Sequence, residues 1–241
     1  MFFIIYIMRY LVDTKNKVIF GWSAKCGCSH IKKLFWYLQN VNVNILHRND
    51  RHKLPTDMHN YTTIVITRNP YERLVSGFLH KYNKKGECRK NWPYNEITFA
   101  KFVEHLTEPN WKICDIHHFI PQTSEEFDYD QLSLSKKLNF YDIKNIDYEY
   151  IGNLYDKIIP NNIKEFRGNE YKGTKDILDT VLNNKITNIN DINDISNLNM
   201  DNYYGCKLPV YLFYNEEIKN KIYKFYLKDF ELFQQFNYNN L

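Results

Sequence analysis

The run Thr62-Thr63-Ile64-Val65-Ile66-Thr67 constrains this chain more than any other stretch. β-Branched residues favour an extended, pleated backbone, and a near-continuous apolar run belongs to a strand covered on both faces. The run stops at Arg68-Asn69-Pro70, where the proline suits the first turn of a helix predicted to continue through Tyr82. The same grammar occurs once before. Val18 to Trp22 is a short apolar run that ends at Ser23-Ala24-Lys25-Cys26-Gly27-Cys28-Ser29, after which Ile31, Leu34, Phe35 and Leu38 recur at helical steps. Two strand, loop and helix units in succession predict an α/β fold. It is read as a single domain over residues 1–241, with a central parallel sheet flanked by helices and ligands bound beyond the carboxyl ends of the strands.

The remaining segments are read around that frame. Met1 to Val12 predicts a first strand or hairpin, and Val43 to Leu46 a further strand. Thr98 is placed to cap a helix whose apolar face is Phe99, Phe102, Val103 and Leu106, and Pro109 closes it. Residues 115–142 show no regular pattern, and Tyr148 to Ile151 is read as a late strand. The stretch 161–207, rich in Asn, Asp and Lys, is read as a variable helix and loop insertion. Asn215 to Phe236 predicts a terminal helical region with Ile218, Ile222, Phe225 and Tyr226 as its core stripe.

Composition excludes several classes of function. A formal charge of +4, from 32 basic and 28 acidic residues, is a poor footprint for a nucleic-acid binder and suits a small anionic ligand. Five cysteines, an odd number without regular spacing, argue against a disulfide framework. Cys26 and Cys28 lie too close together for a zinc knuckle and lack a second pair, so no metal is expected. The apolar N-terminal stretch is interrupted by Arg9 and falls short of the roughly 20 residues that span a bilayer, so the chain as written is expected to be soluble.

Both loops carry the chemistry of phosphate binding. The first offers backbone N–H groups at a helix start, Lys25, the Ser29 hydroxyl and the conformational freedom of Gly27. It is not the triphosphate loop, because the lysine precedes the glycine. The second offers Arg68, whose guanidinium can grip a phosphate through two parallel bonds, and the hydroxyl of Ser76 on the helix that follows. Arg73 is read as a solvated or ion-paired structural residue, while Lys32 and Lys81 are read as nearby charge.

At these residues the sequence resembles a known family. Lys25-Cys26-Gly27-Cys28-Ser29-His30-Ile31-Lys32 is similar to the 5′-phosphosulfate loop of membrane-type, Golgi-type carbohydrate sulfotransferases. Arg68-Asn69-Pro70-Tyr71-Glu72-Arg73-Leu74-Val75-Ser76-Gly77-Phe78, with Lys81, is similar to that family's 3′-phosphate motif. Weaker echoes are His118-Phe119-Ile120-Pro121-Gln122, Tyr148 to Gly152, and Tyr226-Leu227-Lys228-Asp229-Phe230-Glu231-Leu232-Phe233. The departures are Ala24 for a proline, Ser29 for a threonine, and Tyr155 near the place of an expected glutamate.

The resemblance implies a P-loop-like sulfotransferase fold. It also implies transfer of a sulfuryl group from 3′-phosphoadenosine 5′-phosphosulfate to a hydroxyl acceptor, a glycan, leaving 3′,5′-adenosine bisphosphate, with no metal. It assigns Lys25 to the bridging oxygen and phosphosulfate. Cys26, Gly27, Cys28, Ser29 and His30 would line the donor site, and Arg68 and Ser76 would hold the 3′-phosphate. His47 is the expected general base, with His52 and His59 as rivals and His118 read as packing. Family precedent for location is the Golgi lumen. The competing readings are a catalytically degenerate binding module of the same fold and a nucleotide-dependent kinase, which would need magnesium-binding acids that the loops do not offer.

Overall fold

The computed structural model describes residues 8–41, 52–83, 86–109, 113–124, 127–165, 195–200 and 208–238. They fall into two compact units, one drawn from residues 1–68 and 122–169 and the other from 69–121 and 170–241.

The first unit is built on a sheet of four strands in the order β1-β2-β3-β4. Strand β1 (Arg9–Asp13) runs antiparallel to β2 (Val18–Trp22), so the predicted N-terminal hairpin is present. Strand β3 (Thr62–Thr67) lies parallel to β2, with Val18 opposite Thr62 and Trp22 opposite Ile66. All of β2 is buried, as a strand covered on both faces must be. Helix α1 (Cys28–Leu38) lays Ile31, Leu34, Phe35 and Leu38 into the same core as Phe20, Trp22, Ile64 and Ile66, and Phe20 meets Phe35 edge to face at 5.9 Å. Each such side chain removed from water contributes about 1.5–3 kcal/mol.

Two readings are corrected here. The fourth strand, β4 (Lys137–Asp142), runs parallel to β3 inside the stretch that showed no pattern. It is an edge strand, mostly half-buried, and its Lys, Asn and Asp dilute the apolar signal that marks a central strand. Tyr148 to Ile151 is not a strand but the start of helix α5 (Tyr148–Asn153). Asp147 caps that helix, its carboxylate accepting from the Tyr150 N–H at 2.9 Å, and local capping overrides the β preference of two tyrosines and an isoleucine. The short helix α4 (Tyr129–Ser133) precedes β4 in sequence, and α6 (Asn161–Lys164) follows α5.

In the second unit, helix α2 (Pro70–Tyr82) starts where predicted, with Asn69 accepting from the Tyr71 N–H at 2.9 Å and Pro70 at the position that tolerates a missing donor. Thr98 caps α3 (Phe99–Thr107), and Phe99, Phe102, Val103 and Leu106 are fully buried. Phe78, Tyr82 and Phe119 complete an aromatic core around Phe102. The terminal helical region divides at Tyr226 into α7 (Glu216–Phe225) and α8 (Leu227–Leu232). Ile218, Ile222 and Tyr226 form its buried stripe, whereas Phe225 is only half-buried.

The strand expected at Val43 to Leu46, and most of the 161–207 insertion, lie outside the described residues. Among the described residues no helix is long and apolar enough to cross a membrane. Among the described residues, Cys26, Cys28, Cys88 and Cys114 form no disulfide.

Candidate active site

Strand β2 ends at Trp22 and the chain turns at once, the Cys26 N–H donating to the Ser23 carbonyl at 3.2 Å. Two residues of this turn hold left-handed backbone, Lys25 at φ 68° and Gly27 at φ 79°. Gly27 needs that freedom, and the space as well. A Cβ there would stand 2.4 Å from the Ile143 Cδ1. Lys25 adopts the same region without glycine's exemption, at a cost of about 1–2 kcal/mol, a strain often found where a loop is held for binding.

Helix α1 opens at Gly27 with no side-chain cap and no acidic residue in its first turn. Its positive end is therefore left for an anion rather than neutralised by the protein's own carboxylate. Lys25, Gly27, Cys28 and Ser29 are all partly exposed around that end. His30 is buried. With the Tyr148 hydroxyl donating to the Lys164 carbonyl at 3.2 Å, the imidazole Nε2 donates to the hydroxyl oxygen at 2.8 Å. Lys32 is buried too.

Arg68 continues directly from β3, and its guanidinium reaches the first loop. Nη1 donates to the Lys25 main-chain oxygen at 3.2 Å. The two cations singled out from separate motifs are thus brought together because β2 and β3 are parallel neighbours whose carboxyl ends finish side by side. Gln122, which sequence reasoning noted inside a motif but gave no role, lies in the same place and is almost wholly buried. Its Oε1 accepts from the Arg68 N–H at 3.1 Å and from the Cys26 thiol at 2.9 Å, while its Nε2 donates to the Arg68 carbonyl at 2.9 Å. Cys26 is fully buried, its thiol also 3.1 Å from the Ser23 hydroxyl, so it lies under the loop.

The other candidates are distributed as follows. Ser76 sits partly exposed on α2, within the second unit. His47 lies outside the described residues. His52 is exposed, but its Nδ1 accepts from the Val12 N–H at 2.8 Å, which places the ring proton on Nε2 and occupies the lone pair that a base would use. His59 is exposed on a short turn at Met58–Asn60. Tyr155, in the place of an expected glutamate, is half-buried with its hydroxyl enclosed near Asp13, and burial together with that carboxylate raises the hydroxyl well above the usual phenol range.

Arg73 is not solvated, one of the two states expected of it. It is fully buried and donates from Nη1 to the Ile120 carbonyl at 2.7 Å. Lys81 is held between Glu87 and Asp115. Asp115 also takes His117 Nε2 at 2.7 Å and His118 Nδ1 at 3.1 Å. Burial opposes ionisation of Asp115, but these donors outweigh it and hold the carboxyl far below its ordinary value. Burial keeps His118 below the ordinary imidazole value in spite of that carboxylate. Among the described residues, Asp115, His117 and His118 are the one group whose ligand atoms lie close enough to share a cation, within 4.8 Å, and the Lys81 ammonium is already there.

A mostly parallel α/β sheet whose strand ends meet an uncapped helix start, with a lysine and an arginine at adjacent ends, has the chemistry that suits an anionic group such as a phosphate. The chain belongs to the sulfotransferase family, whose sequence profile matches residues 8–239. It is similar to human carbohydrate sulfotransferase 9, at 27% identity over 120 residues, covering 43% of this chain and 26% of the relative. It is also similar to carbohydrate sulfotransferase 10 of Xenopus laevis, at 23% identity over 145 residues, covering 45% and 41%. The rat carbohydrate sulfotransferase 10 gives 26% identity over 143 residues, covering 45% and 40%. The matched part therefore spans well under half the length of these curated relatives. No solved structure matches the chain.

Proposed function

We propose that this protein transfers a sulfuryl group from 3′-phosphoadenosine 5′-phosphosulfate to a hydroxyl group of a carbohydrate. The observation that carries the reading is the meeting of Arg68 with the Lys25 loop at the ends of β2 and β3. A donor with a phosphate at each end of one nucleoside needs two anion sites at a fixed spacing, and two adjacent strand ends offer that. The donor set fits such a molecule: an uncapped helix start, Lys25 and the Ser29 hydroxyl for one end, and a forked guanidinium for the other. For Ser76 the assignment to the 3′-phosphate rests on its motif alone.

When bound, the donor supplies the sulfuryl group and a phosphate as leaving group. Lys25 and the N–H groups of the α1 start stabilise the negative charge that gathers on that phosphate, and they do so without reorganising because the loop is already shaped. The acceptor hydroxyl must lose a proton. We assign this to His47 from its position in the sequence, and the engagement of the His52 Nδ1 by Val12 favours that choice over its neighbour. The similarity to carbohydrate sulfotransferases supports a glycan acceptor.

Titration with 3′,5′-adenosine bisphosphate, followed by thermal shift without magnesium, tests the donor site. Stabilisation is expected, and stabilisation only by magnesium-ATP would favour a kinase instead. Transfer of labelled sulfate to a glycan panel then separates an enzyme from a binding module. His47→Ala should lower turnover about a hundredfold or more with donor affinity unchanged; near-normal turnover would remove His47 from the mechanism.

A further inference from the structure

Strand β3 outlives its neighbour. The Thr67 carbonyl is taken by the Ile143 N–H on the β4 side, so the alternation of an extended strand turns the N–H and C=O of Arg68 towards the β2 side. There β2 has already left the sheet, because its last paired residue is Trp22, opposite Ile66. Two main-chain groups of Arg68 would face a gap in the ladder, at a position where an unsatisfied group costs about 1–3 kcal/mol. The side-chain amide of Gln122 occupies that gap with the pattern of a missing strand, accepting at 3.1 Å and donating at 2.9 Å. The same Oε1 receives the thiol of Cys26, from the loop that β2 has become, at 2.9 Å.

We propose that Gln122 is a positioning residue that splints the two diverging strand ends and so sets the spacing between the Lys25 loop and Arg68. The inference rests on the donor-site reading given above. A wedge at this point has to be polar on both edges and shaped like a peptide group. A carboxylate would set an acceptor against the Arg68 carbonyl, and an aliphatic side chain would leave both main-chain groups unpaired. Burial of Gln122 to 2% exposure excludes the water that would otherwise replace it. The arrangement also explains a buried cysteine under a phosphate loop. Its thiol is the donor that completes the acceptor side of the splint while it remains in contact with Ser23.

The test uses the full chain and the variants Gln122→Met and Gln122→Glu, alone and combined with Arg68→Ala. Two readouts are followed: hydrogen exchange at the Arg68 amide without ligand, and affinity for 3′,5′-adenosine bisphosphate by calorimetry. Gln122→Met should speed exchange at Arg68 about tenfold or more and weaken the bisphosphate about tenfold, with Gln122→Glu similar. In the Arg68→Ala background the same substitution should cost little further affinity, because the two act through one contact. A purely structural role would lower the melting temperature yet give equal losses in both backgrounds, and that overturns the proposal. So does unchanged exchange at Arg68. Wild-type protein that binds no bisphosphate overturns the functional reading, and the positioning role with it. Wild-type binding with undiminished affinity in both variants overturns the positioning role alone.

Discussion

The guanidinium of Arg68 donates to the main-chain oxygen of Lys25 at 3.2 Å, so the cation of one motif holds the backbone of the other. Removing it takes away both an anion donor and a loop support. Arg68→Ala should weaken 3′,5′-adenosine bisphosphate about a hundredfold, the equivalent of one or two charge-assisted hydrogen bonds, while the partly exposed site leaves the melting temperature nearly unchanged. Arg68→Lys should recover only part of the affinity, since an ammonium cannot make the forked contact. Calorimetric titration of the three proteins decides it, and equal affinities would remove Arg68 from the site.

Gly27 is predicted to tolerate no side chain. Its φ of 79° is strained for any other residue, and the added Cβ would lie 2.4 Å from the Ile143 Cδ1. Gly27→Ala should cost about 1–3 kcal/mol in urea unfolding and should weaken bisphosphate binding markedly, because the left-handed backbone of the loop is strained by any side chain even where Ile143 can turn aside. A variant with wild-type affinity would show that this loop does not shape the site.

The ion-pair network at Asp115 predicts a particular response to acid. The Asp115 carboxyl is held far below its ordinary value, so its contribution is fully present above about pH 4, where the unfolded chain ionises, and is lost as pH falls through the folded value. His118, held below its ordinary value by burial, adds stability present above about pH 6.5 and lost as pH drops below it. Wild-type protein should lose stability in both ranges. Asp115→Asn should cost about 3 kcal/mol at pH 7, by leaving the nearly buried Lys81 with Glu87 alone, and should flatten the curve below pH 4. Denaturation at a series of pH values measures this; parallel curves for the two proteins would refute it.

Asp147 offers a test of the corrected helix α5. Its carboxylate accepts from the Tyr150 N–H at 2.9 Å, and Asp147→Ala should destabilise the protein by about 1 kcal/mol with no change in the slope against denaturant. A strand at Tyr148–Ile151 would make the substitution nearly neutral.

Much of this protein was legible from local chemistry. The β-branched run fixed β3, Asn69-Pro70 fixed the start of α2, Thr98 fixed the start of α3, and the helical spacing of Ile31, Leu34, Phe35 and Leu38 fixed the buried face of α1. Each is settled within a few residues, by capping, by side-chain branching or by the period of one helix. The lysine and arginine of the two loops were likewise visible, because charged residues at the ends of buried strands stand out against their surroundings.

What the local sequence left open were relationships across long stretches of chain. β4 becomes a strand only because β3 presents it with an unpaired edge, and its own composition is too polar to announce that. Arg73, read as solvated or ion-paired, and Lys81, read as charge near the second loop, are both buried by packing, the first donating to a main-chain carbonyl and the second held between two carboxylates. Gln122 falls inside a motif, but nothing local gives its side chain a role. Its amide matters because β2 stops before β3 does and leaves main-chain groups that need a partner, so its role exists only once the strands are side by side. Local propensity acts over a turn or two, whereas hydrogen-bond satisfaction in a buried sheet is an account that only the assembled structure can close.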